Sequence, residues 1–231
     1  MKSESQGVRA TSIGVGFATG IYGISFGALS VAAGLDLYQT MALSVLMFSG
    51  GSQFAFVGVI ATGGAGSFGA AILSAWLLGV RNGFYAVRMA PILSPSNWLK
   101  PIAAQLTIDE SNAVSLAQEP DRVSERLGFW LTGVAVFVFW NLSTLMGALL
   151  GQGLGEPTDW GLDAAAAAAF LGLIWPRLKD RKSLALGVLA LLTATLLSEV
   201  LPSGIPVLLS ALVAVLFWLF WRKNETPGET A

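Results

Sequence analysis

The sequence predicts an all-α fold: a polytopic membrane helix bundle of seven to eight membrane segments, with at least one discontinuous or re-entrant helix. Three observations predict it. Of 231 residues, 54% are apolar and only 12% charged, about half the charge of an ordinary soluble domain. Apolar windows of about 20 residues, the length needed to cross a hydrocarbon core of roughly 30 Å, recur along the chain. One of them carries two adjacent glycines and three polar side chains at its centre, where a lipid-facing helix has no use for them.

The windows run 12–33, 40–61, 67–88, 128–150, 184–200 and 205–221, with a shorter one at 163–175. The first follows Lys2 and Arg9 as a signal peptide would, but its apolar run exceeds the 7–15 residues of such a segment and no cleavage site follows, so a retained helix is expected. Gly16, Gly20, Gly23 and Gly27 line one face of it at three- and four-residue steps, the pattern of close helix packing through small residues. If nothing in the chain packs on that face, a partner subunit is expected there. In the second window "SGGSQ", Ser49, Gly50, Gly51, Ser52 and Gln53, lies at mid-depth. A helix broken there exposes backbone groups that only protein or a water-filled cavity can satisfy, which is how transporters build ligand sites.

The third window ends in "GVRNGFYAVRMAP". At 100° per residue Arg81, Tyr85 and Arg88 share one face, with Asn82 a step aside. An arginine at the centre of a membrane helix costs about 2.5–3.5 kcal/mol, less near the ends. Arg88 is placed to anchor at the interface; Arg81, two turns deeper, is expected in a buried ion pair or on a ligand. The candidate counter-ions are Asp109 and Glu110 in "LTIDESNA", where Asp109 also reads as a helix start whose positive end would face an anion. Asn141 in the fourth window predicts a hydrogen bond to a neighbouring helix. The alanine-rich 163–175 reaches only about 20 Å at 1.5 Å per residue, so it is expected to be buried in the bundle or extended by the residues before it.

Residues 1–10 and 222–231 read as solvated cytoplasmic tails, leaving 1–231 a single integral membrane domain. Basic residues in short loops stay cytoplasmic, and the densest cluster, Arg177, Lys179, Arg181 and Lys182, places that loop and the C-terminus inside. Seven crossings would then put Lys2 and Arg9 outside. The preferred resolution is an eighth crossing at 99–118; a re-entrant element among the first three windows resolves the conflict equally well.

The chain has no histidine and no cysteine, which removes thiolate chemistry, the usual zinc sites and a Ser-His-Asp triad. No enzyme activity, metal or cofactor is expected, and without a basic stripe interleaved with aromatics no nucleic acid. Arginine, carboxylates and unwound backbone in an otherwise apolar setting suit a small zwitterion such as an amino acid. A channel or facilitator for a small neutral solute, or an accessory subunit of a separate transporter, are the alternatives.

The stretch from "GISFGALSVAAG" through "FSGGSQFAFVGVIATGG", then "LLGVRNGFYAVRMAP", "LTIDES" and "LIWPRLKDRKS", resembles in order the AzlC family of branched-chain amino-acid exporters, over about residues 10–221. The resemblance implies a bacterial inner-membrane permease for valine, leucine, isoleucine and sometimes methionine, working with a small hydrophobic AzlD-like subunit. From the residues themselves, substrate contacts are expected from the break, Ser49, Gly50, Gly51, Ser52 and Gln53, and from Arg81, Asn82 and Tyr85, with Arg81 binding the substrate carboxylate or holding Asp109. Asn82 stands where many relatives carry histidine, and Ile108 splits the Thr-Asp-Glu run. Without that histidine, proton coupling would fall to Asp109 or Glu110.

Overall fold

The computed structural model describes residues 2–153, 171, 175, 178–202 and 205–224. Among these the chain is helical throughout, with no strand. The elements are α1 (Lys2–Ala32), α2 (Leu37–Leu46), α3 (Gly50–Gly63), a short 3-10 turn (Gly64–Ser67), α4 (Phe68–Leu93), α5 (Lys100–Gln105), α6 (Asp109–Leu116), α7 (Arg122–Gly153), α8 (Arg181–Ser198) and α9 (Ile205–Asn224). Four of them, α1, α4, α7 and α8, are long and apolar enough to cross a membrane. The window at 163–175 lies outside the described residues except for 171 and 175.

The centre of the bundle is the parallel pair α1 and α7. Gly16 lies against Ala135, Gly20 against Phe139, Gly23 against the Trp140 carbonyl and Gly27 against Thr144; from the other side Gly147 meets Ile24 and Gly151 meets Ala28. A β-carbon at Gly23 would stand 2.6 Å from the Trp140 oxygen, so the two backbones approach at a distance only glycine permits. The glycine face of α1 is therefore covered by α7 and gives no reason of its own to expect a partner subunit there.

Two segments are broken helices. In the first, α2 stops at Leu46 and α3 starts at Gly50. The break therefore falls on Met47, Phe48 and Ser49, one step earlier than "SGGSQ" suggests, and Gly50, Gly51, Ser52 and Gln53 form the first turn of α3. In the second, α5 stops at Gln105 and α6 starts at Asp109, leaving Leu106, Thr107 and Ile108 between them. Each break has a polar side chain holding it. The buried Gln53 amide donates to the carbonyls of Met47 at 2.9 Å, Leu43 at 3.2 Å and Ser44 at 3.3 Å, adding to the backbone bonds that Leu43 O and Met47 O accept from Met47 N–H and Ser49 N–H at the end of α2. The buried Ser111 hydroxyl donates to Leu106 O at 2.6 Å and accepts from Ile108 N–H at 3.1 Å.

Both broken helices pack against α7. At one end, Arg126 Nε at the start of α7 donates to Ile92 O at the end of α4, 2.7 Å away, and Arg88 reaches Glu119 at 3.4 Å. The segment 99–118 thus links the end of α4 to the start of α7, two helix ends that lie side by side. Its tip packs at mid-length of α7, where Leu106 meets Gly133, while Val114 meets Gly128 nearer the helix start. The α2–α3 pair is its counterpart from the opposite end. Its tip lies at mid-length of α7, Phe48 against Phe137 with ring centroids 5.0 Å apart, and Ser44 donates to Thr144 further along at 3.2 Å. Its outer ends, Gly34 and Gly64, line one groove. The turns into both pairs use left-handed backbone, Gly34 at φ 90° and Ser94 at φ 40°.

Much of the remaining surface is oily. Phe84, Val87 and Leu196 are each at least 70% exposed, and α8 buries no residue. Continuous exposed apolar faces of this extent belong against lipid rather than water.

Candidate functional site

The tips of the two broken helices meet beside the middle of α4 and α7, around a cavity of about 80 Å³. That volume admits a few waters or the small end of a solute. Arg81 enters it from α4, and its Nη2 sits 2.7 Å from Asp109 Oδ2. Tyr85, one turn along the same face, donates its hydroxyl to the other Asp109 oxygen at 2.8 Å. The sequence pattern puts Arg81 and Tyr85 on one stripe with Asp109 and Glu110 as candidate counter-ions; the two side chains converge on the Asp109 carboxylate.

Glycine makes this arrangement fit. A β-carbon on Gly51 would stand 3.1 Å from Arg81 Nη2, and one on Gly50 would stand 3.1 Å from Cη2 of Trp140. The first turn of α3 is therefore held between a guanidinium and an indole, each packed close to bare backbone. Gly50 and Asp109 are also the first residues of α3 and α6, so the unpaired N–H groups of two helices begin at the cavity wall. Such ends carry partial positive charge. With Arg81 they face Asp109 and Glu110, which line the same space: both signs of charge stand within one small volume.

The other wall is apolar and aromatic. Phe54, Val136 and Trp140 line it with Phe48, and Tyr22 comes from α1. Trp140 is stacked on Phe26 with centroids 6.1 Å apart and meets Phe54 edge-on at 6.3 Å. Trp140 was not singled out from the sequence, although its neighbour Asn141 was. An indole at mid-window, away from the interfaces where tryptophan usually concentrates, was the available signal. Asn141 itself donates to Phe137 O at 2.8 Å within its own helix, in place of the expected bond to a neighbouring one.

Of the remaining sequence candidates Ser49 borders the cavity, and the others lie beside it. Gln53 is turned into the end of α2. Ser52 donates to Ser49 at 3.3 Å and, with Asn82, lines a wider groove on the far side of the break. Ser49 and Phe48 border both spaces. Arg88 is more than half exposed in its pair with Glu119, as an interfacial anchor should be. Among the described residues no group of three or more acids could hold a metal ion.

The AzlC protein family matches the chain over residues 14–154, the stretch that runs from within α1 to the end of α7 and holds every cavity residue. A relative described as "Uncharacterized membrane protein" from Helicobacter pylori (strain ATCC 700392 / 26695) is 22% identical over 205 residues, which is 88% of this chain and 89% of that protein. No solved structure matches. With the family's match covering well over half of the sequence and the exposed helices made for lipid, the chain belongs to the AzlC family of membrane proteins.

Proposed function

We propose that the protein exports branched-chain amino acids, valine, leucine, isoleucine and methionine as a larger aliphatic relative, across the bacterial inner membrane. The observation that carries this reading is the Arg81–Asp109 pair at the meeting point of two helix N-termini and an apolar wall. A zwitterion can enter such a pair by exchange. Its carboxylate takes the place of Asp109 on Arg81 and on the N–H groups opening α3 and α6, and its ammonium takes the place of Arg81 on Asp109 or Glu110. The charges stay matched throughout, so entry avoids the several kcal/mol that an unpaired buried ion costs. An aliphatic side chain against the apolar wall adds about 0.8 kcal/mol per buried CH₂. Asp109 or Glu110 carries the coupling proton, and a small AzlD-like subunit completes the working complex.

The same reading sets the topology. Eight membrane segments comprise six crossings, α1, α4, α7, the window at 163–175, α8 and α9, with α2–α3 and α5–α6 as re-entrant pairs from opposite faces. Arg88, Lys100, Arg122 and Arg126 then join Lys2, Arg9 and the 177–182 cluster on the cytoplasmic side, as the positive-inside rule asks, and both termini are cytoplasmic. Arg81 stays at mid-depth. The conflict between parity and charge disappears without leaving Lys100 outside.

Efflux of radiolabelled valine from preloaded cells tests the proposal. Arg81→Ala, shown to be inserted at wild-type level, is expected to abolish efflux; undiminished efflux refutes the proposed role. Counterflow that saturates separates an exporter from a channel for small neutral solutes.

A further inference from the structure

The first turn of α3 is gripped from two sides by different chemistry, and the two sides divide the work of recognition. Gly51 abuts the Arg81 guanidinium, the only group among the described cavity residues with a fixed positive charge; Gly50, the residue before it, abuts the Trp140 ring. A ligand whose carboxylate lies on Arg81 and the α3 N-terminus therefore has its remaining atoms directed along one turn of backbone toward the indole. Trp140 is 4% exposed and Phe26, on which it stacks, is fully buried. Phe54 closes a third side at 8% exposure. A ring packed against two others cannot swing aside as a leucine or methionine could, so it sets a fixed limit on length. Its Nε1–H has no hydrogen-bond partner among the described residues, so no polar contact gives the ring a separate structural reason to be tryptophan.

We infer that Trp140 is the specificity-determining residue of the site, limiting the size of side chain that the cavity accepts so that branched aliphatic amino acids are preferred over aromatic ones. The inference rests on the amino-acid reading of the site. Hydrophobic pockets discriminate by size to about 10–200-fold per methylene-scale change, so removing most of the indole should relax selectivity by at least about tenfold.

The experiment uses the full chain reconstituted in liposomes and measures inhibition of radiolabelled valine counterflow by leucine and by phenylalanine. Trp140→Leu is expected to lower the inhibition constant of phenylalanine relative to that of leucine by about tenfold or more. The change should lie in KM-like terms, with the maximal valine rate less affected. Gly50→Ala works from the opposite side, crowding the ring, and should weaken leucine relative to valine; it keeps the idea testable if Trp140→Leu does not insert. Leucine-to-phenylalanine and leucine-to-valine ratios that stay at wild-type values in both variants overturn the role of Trp140 and leave the exporter reading standing. Wild-type protein that shows no valine counterflow overturns both.

Discussion

The guanidinium of Arg81 lies against the backbone of Gly51, with Nη2 3.1 Å from the point where a β-carbon would stand. The glycine thus acts on the charge rather than on the bend: the break itself lies at 47–49. Gly51→Ala should push the end of the arginine side chain by a few tenths of an ångström and raise the KM for valine several-fold. Gly51→Val, with branches on the same carbon, should cost about tenfold more. Concentration series in the same efflux assay check this, and a Gly51→Val protein with wild-type KM contradicts it.

The Arg81–Asp109 pair should behave as one unit. Both side chains are about one-third exposed, so the coupling lies between that of a surface pair, below about 1 kcal/mol, and that of a buried pair broken by removing one partner, about 3–5 kcal/mol. A double-mutant cycle with Arg81→Ala and Asp109→Ala, read by thermal unfolding in detergent, is expected to give about 1–2 kcal/mol of coupling. Additive losses would mean that the two side chains do not support each other.

Backbone contact between α1 and α7 predicts intolerance of even one methyl group. A β-carbon at Gly23 would be 2.6 Å from the Trp140 carbonyl oxygen, a backbone atom that cannot move alone. Gly23→Ala should destabilise by about 1–3 kcal/mol, the usual cost of overpacking, visible as a lowered melting temperature. Gly14→Ala, on the same helix with open space around it, should not.

Topology can be read without background because the chain has no cysteine. Gly66→Cys, in open space at the turn between α3 and α4, should react with a membrane-impermeant thiol reagent added to intact cells. Asn97→Cys, in the turn between α4 and α5, should react only after the membrane is opened. An eight-crossing arrangement reverses the two results.

The sequence made the long helices and the arginine stripe legible because both follow periodicity, which a single segment contains. Arg81 and Asp109 could be paired by elimination: a buried cation needs an acid, and few were present. The direction of 99–118 was not legible, since crossing and returning differ only in contacts made by distant residues, Arg126 with Ile92 and Arg88 with Glu119. The parity conflict left two readings open, an eighth crossing at 99–118 or a re-entrant element among the first three windows; the structure adds two helix breaks of three residues each, with their tips at one cavity. Gln53 was read as a ligand for substrate because a buried amide is costly, yet the carbonyls left at the end of α2 satisfy its N–H groups. For Trp140 the sequence offers only the weak signal of an indole at mid-window; its place against Gly50, Phe26 and Phe54 depends on contacts between distant segments.

The central claim is that one zwitterion exchanges for the Arg81–Asp109 contact, and charge-deleted analogues address it most directly. Inhibition of valine counterflow by isobutylamine, which lacks the carboxylate, and by isovalerate, which lacks the ammonium, should be weaker than inhibition by leucine by about tenfold or more, in keeping with about 1–2 kcal/mol for a charge pair that is one-third exposed. Either analogue competing as well as leucine would contradict the account.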